Sequence, residues 1–146
     1  MSTPPAYAIA GSKYVSLTSY KQDGTPVSTP VWVVARGEFL FVWTRSDSWK
    51  VKRIRRDPVI RVAVCDMRGN VKSPKWPATA RVIGGGGEAM VRELMDDKYG
   101  AFRIKASIFF EKLRRKPTDR VALQITLGGD LAEHDDSPVF RDPPTV

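Results

Sequence analysis

Short runs with the two-residue period of a β-strand, each closed by a turn signal, recur along this chain, and they constrain its fold more than any other feature. Residues 14–20, YVSLTSY, alternate in that period and run into KQDG, where Asp23-Gly24 is a hairpin-type turn signal. A second run covers residues 27–35, VSTPVWVVA. Pro30 inside it has no N–H to give to a ladder, which argues for an edge position or a bulge. Arg36-Gly37-Glu38 then turns the chain, and FLFVWT (39–44) is apolar at nearly every position, as expected of a strand covered on both faces. These three runs read as a meander. VIRVAVCD (59–66), residues 78–83 and VALQITL (121–127) read as three more strands, the approach to residue 78 being delayed by Pro74 and Pro77.

Between the third and fourth strands lies TRSDSWKVKRIRRDP, residues 44–58, where charge is most concentrated. Six residues are basic (Arg45, Lys50, Lys52, Arg53, Arg55, Arg56) against two acidic ones. Asp47-Ser48 is a helix N-cap signal and Asp57-Pro58 a stop, so a helix of about two turns is predicted. Val51 and Ile54 can seat it on a core, while Lys50 and Arg53 share a second face and Lys52, Arg55 and Arg56 a third. Free amides at the helix start, a hydroxyl at Thr44 or Ser46 and nearby cationic donors suit a phosphate or carboxylate. The plainer reading of such a run is a solvated face on a connector helix.

The rest is helical or irregular. Met90, Leu94 and Met95 recur at helical spacing from Glu88 towards Gly100, and a second helix is expected over residues 103–115, with Ile104, Ile108, Phe109 and Leu113 inward. Gly84 to Gly87 read as a flexible connector, since no βαβ unit surrounds them to make a nucleotide fingerprint. About six strands, a short basic helix and a helical pair before the last strand predict an α+β, mainly antiparallel barrel. The domain reading is an N-terminal segment (1–12), one barrel domain (13–128) and an acidic, mobile tail (129–146).

The residue inventory narrows the chemistry. The only histidine, His134, stands in the tail, so the body is expected to hold no His-centred triad and no metal. Asp96 and Asp97 are adjacent and point apart, and the single cysteine, Cys65, lies in a strand. An enzyme built this way needs a bound organic cofactor to carry the difficult step. Net charge is +8; residues 1–128 carry +12, from 23 basic and 11 acidic residues, so the body favours anionic ligands. Trp32, Trp43, Trp49 and Trp76 lie close in sequence to the basic stretch. Rings beside Lys and Arg suit a planar anion such as a flavin phosphate and equally a single-stranded nucleic acid, and composition leaves the two tied. No secretory leader and no run of eighteen apolar residues is visible, which reads as a cytoplasmic protein without a membrane span.

One further observation breaks the tie. KYVSLTSYKQDGTPVSTPVWVV, then FLFVWTRSDSWKVKRIRRDPVIRVAVCDMRGN, resembles the pyridoxamine 5′-phosphate oxidase-like split β-barrel proteins, in particular their deazaflavin (coenzyme F420)-dependent branch. The shared pattern is a DG hairpin, a TPVW-type strand, a strand ending in Thr, a Trp-Lys-x-Lys-Arg-Ile helix and an RDPxV strand, extending through DKYG and FFEKLRR to VALQITL. The chain departs from that pattern at residues 71–79, with their two prolines, and at the glycine run. The resemblance implies a split β-barrel homodimer that binds F420, or alternatively FMN, between protomers and transfers hydride to a small organic acceptor. Carried over by position, Lys50 and Arg53 contact the cofactor phosphate, with Thr44, Arg45 and Trp49 beside them. Thr29, Pro30, Val31 and Trp32 border the ring. Lys52, Arg55 and Arg56 are candidates, on charge alone, for an acidic cofactor tail. A non-catalytic cofactor carrier or a nucleic-acid-binding module is the alternative from another class, and the acceptor is not legible in these residues.

Overall fold

A computed structural model describes residues 3–100 and 120–128. In order these form α1 (Ala6–Ile9), β1 (Tyr14–Tyr20), β2 (Pro26–Val31), β3 (Val34–Arg36), β4 (Phe39–Arg45), α2 (Trp49–Arg56), β5 (Val59–Cys65), β6 (Trp76–Ile83), α3 (Gly86–Tyr99) and β7 (Arg120–Leu127). The expected helix at 103–115 and the acidic tail lie outside the described residues.

The seven strands make one antiparallel sheet in the order β2-β1-β5-β6-β7-β4-β3. Leu17 of β1 and Leu40 of β4 stand four strands apart in that order yet belong to one buried cluster, together with Val62, Ala78, Leu123 and Ile125. A flat sheet would separate them by about 19 Å at the usual strand spacing. The sheet is therefore rolled into a half-barrel around its own core: the pattern's α+β antiparallel barrel, in the split form that the family resemblance implies. Ala6 and Ile9 of α1 reach into this core, so part of the N-terminal segment packs with the barrel.

One expectation is corrected. The first three runs are not a meander, because the run at 27–35 breaks at Trp32-Val33 and its halves join opposite edges of the sheet. Among the described residues β2 pairs only with β1 and β3 only with β4. Pro30 is exposed on β2, where an edge has no further ladder to supply, as its missing N–H requires. This split turns the six expected strands into seven.

β4 is covered on both faces as its composition implies. Leu40 and Val42 enter the barrel core, while Phe41, with the partly buried Phe39 and Trp43, meets Val91, Met95 and Tyr99 of α3 on the other side. The glycine run is more than a connector. Gly85 has φ 59°, which an L side chain rarely adopts, and a Cβ on Gly87 would lie 2.9 Å from Ile83 Cδ1. Gly86 and Gly87 form the first turn of α3, two residues before the expected start. β6 likewise begins at Trp76 and takes in Pro77 as its second residue, where the proline carbonyl accepts from Gly128 N at 2.8 Å.

Candidate cofactor site

The site is organised by how α2 sits. Ser48 caps it, its hydroxyl accepting from Val51 N at 3.4 Å, and the helix ends at Asp57. Val51 and Ile54 are 0% and 2% exposed and face the barrel core. At 100° per residue this turns Trp49, Lys52, Arg53 and Arg56 outward and leaves Lys50 and Arg55 on opposite flanks.

The outward face does not stand alone. The Arg56 guanidinium donates to the carbonyl of Tyr20, the last residue of β1, and so draws the β1–β2 turn against the helix. Between them is a groove of about 460 Å³ lined by Lys21, Gln22, Trp49, Lys52, Arg53 and Arg56. Trp49 is 67% exposed, with the Lys52 ammonium 4.6 Å and the Arg53 guanidinium 5.9 Å from its ring centre. The structure thus groups Arg53 with the outward cations rather than confining it to a face shared with Lys50.

Lys50 lies on the flank towards β4, where its ammonium donates to Thr44 Oγ1 at 3.4 Å and Thr44 itself is buried. Burial first, then the charges of Arg53 and Arg45, holds Lys50 below the ordinary lysine range. A cation so placed gains by meeting an anion, which restores the charge compensation that desolvation removed. Arg45 instead pairs with Asp47 at 3.2 Å on the connecting loop and holds that carboxyl below its usual range. Arg55 is exposed.

The residues expected along the ring lie elsewhere on the sheet. Thr29, Pro30 and Val31 pair with Leu17, Ser16 and Val15, with Val31 against the core. Thr29 is four residues along the strand from Thr25 at the hairpin, or about 13 Å at a strand's rise. Trp32 is stacked on Tyr99, ring centres 4.4 Å apart and planes 7° from parallel. Within the chain the expected residues thus form a phosphate-suited end at α2 and β4 and a separate stretch at β2. Lys21 and Gln22 were not among the expected site residues, because DG marks a turn but not which helix the turn will touch.

The donor set fits an anionic organic cofactor. Among the described residues the groove cations Lys52 and Arg53 make no ion pair, and no cluster of three or more His, Cys, Asp or Glu could hold a metal. No described helix is long and apolar enough to cross a membrane.

Comparison with known proteins agrees with this architecture. No curated protein matches the chain. Among solved structures, one described as an F420 reductase superposes with a TM-score of 0.59 at 19% identity, over 87% of this chain and 97% of that one. An FAD-binding protein from Mesorhizobium loti gives 0.57 at 15%, over 82% of each chain. A heme storage protein from Vibrio cholerae gives 0.57 at 14%, over 84% of this chain and 91% of that one. At these identities the likeness is one of fold. The sequence profile of the pyridoxamine 5′-phosphate oxidase family matches residues 6–128, which span every described helix and strand, and this chain therefore belongs to that family.

Proposed function

We propose that the protein is an oxidoreductase that binds a phosphate-bearing deazaflavin, coenzyme F420, at α2 and acts on a small organic acceptor as a homodimer. The observation that carries this reading is Lys50, a partly buried cation beside the Thr44 hydroxyl, next to a groove whose Lys52 and Arg53 make no described ion pair. Lys50 and Arg53 bind the phosphate, with Thr44 as a hydroxyl partner and Arg45 adding positive potential. Trp49 offers an exposed apolar face beside them, and Lys52, Arg55 and Arg56 meet further negative charge on the cofactor. Thr29 to Trp32 of one protomer border the ring in a groove completed by the second, which reconciles their separation from α2 within a single chain. The bound deazaflavin supplies the hydride, so the chain's residues have to orient the ring, exclude water and leave room for the acceptor. The resemblance of the Trp49–Ile54 and Arg56–Val59 motifs to the F420 branch supports the choice of cofactor, as does the F420 reductase among the similar folds.

Titration with oxidised F420 and, separately, with FMN, followed by fluorescence, tests the reading. Saturable binding of one F420 per protomer is expected. FMN is the second reading, supported only as far as a flavin-binding protein, described as FAD-binding, stands among the similar folds, and preferential FMN binding would establish it. Binding of neither, with oligonucleotide binding lost at high salt, would overturn both.

A further inference from the structure

Val33 is fully buried at the break between β2 and β3, outside either strand. A peptide group there has no ladder to serve it, and leaving its N–H or C=O unpaired away from water is expensive. Two side chains at the end of α3 answer both needs. Tyr99 Oη accepts from Val33 N at 3.0 Å and donates to the Lys13 carbonyl at 2.7 Å. The Lys98 ammonium donates to the carbonyls of Val33 at 2.7 Å, Ala10 at 2.7 Å and Ser12 at 2.8 Å. Its three donors therefore meet three acceptors, and the ring of Tyr99 also backs Trp32.

We infer that Lys98 and Tyr99 are positioning residues for the cofactor ring: they clamp the Trp32-Val33 crossover to the chain leading into β1 and so fix the ring-bordering end of β2. The inference rests on the reading that β2 borders the ring. Three segments distant in sequence meet at this clamp, and among the described residues no carboxylate pairs with Lys98. Burial pulls Lys98 down to about 8, which leaves it charged, with all three donors, at neutral pH. Among the described residues the crossover has no strand pairing of its own, so removing the clamp loosens the Trp32-Val33 backbone without dissolving the sheet.

The experiment uses Tyr99→Phe, which keeps the stacked ring, and Lys98→Gln, which keeps an N–H donor. Amide exchange of Val33 in the cofactor-free protein is expected to quicken at least tenfold in Tyr99→Phe relative to the amide of Val62 in the core. F420 or FMN affinity is expected to fall at least fivefold, and less in Lys98→Gln, while affinity for inorganic phosphate stays at the wild-type level because Lys50 and Arg53 are untouched. Unchanged Val33 exchange overturns the clamp. Faster exchange with wild-type cofactor affinity overturns the positioning role alone. If the wild-type protein binds neither cofactor, the cofactor reading and the positioning role fall together, while the exchange result still decides the clamp.

Discussion

The two longer helices among the described residues, α2 and α3, cover opposite faces of the same rolled sheet and use their polar side chains in opposite ways. α2 lies on the barrel core through Val51 and Ile54 and turns Trp49, Lys52, Arg53 and Arg56 into a groove where Lys52 and Arg53 have no described carboxylate. α3 lies on the outer face through Val91, Met95 and Tyr99 and ties two of its polar side chains to the fold: Glu88 accepts from the Trp43 indole, and Lys98 is taken up by three carbonyls. A cation whose donors are met by the protein holds the fold together. One left with donors to spare attracts a ligand.

Substitutions should separate the two helices. The largest effect is expected from Lys50→Ala combined with Arg53→Ala, which should weaken cofactor binding by about 3 to 6 kcal/mol, taking about 1.5 to 3 kcal/mol for each charged hydrogen bond. Wild-type affinity in a titration of the double variant would erase the contrast. The pH dependence sharpens it. Lys50 titrates below the usual lysine range in the free protein, and a bound phosphate favours its charged form, so affinity should fall as pH rises through that lowered range. The loss should approach the Lys50→Ala deficit and be absent from the Lys50→Ala variant; a flat profile in the wild type would remove Lys50 from the phosphate site.

On α3 the expected loss is in folding rather than in phosphate binding. Tyr99→Phe leaves the buried Val33 N–H without its acceptor and should lower the unfolding free energy by about 1 to 3 kcal/mol in urea. Smallest of all is Lys52→Ala. Its contacts among the described residues are exposed ones, a cation-π contact to Trp49 and the charge of Asp47, so its stability should stay within about 0.5 kcal/mol of wild type while its groove binds anions less well. A large loss of stability there would mean that α2 is held by its charges as α3 is.

What could be read without coordinates was local. The strands at 14–20 and 59–66, the double-sided coverage of 39–44, the cap at Ser48 and the inward pair Val51 and Ile54 each follow from a few neighbouring residues. The cationic end of the candidate site was legible for the same reason, since one short helix carries most of it. The participation of Lys21 and Gln22 was not, because it depends on the Arg56 contact with the Tyr20 carbonyl, thirty-six residues away in sequence.

By itself, then, the sequence determined that residues 14–20, 39–44, 59–66 and 121–127 hold strands, where α2 starts and stops and which of its faces is charged, because hydrogen-bonding period and capping act within a few residues. Only the tertiary structure decided that the run at 27–35 would split between opposite edges and that Tyr99 would serve the Val33 peptide sixty-six residues away. Alternation along a strand reports which side chains face inward, but it is the same whichever neighbour the strand pairs with. That choice is made by closure of the whole barrel.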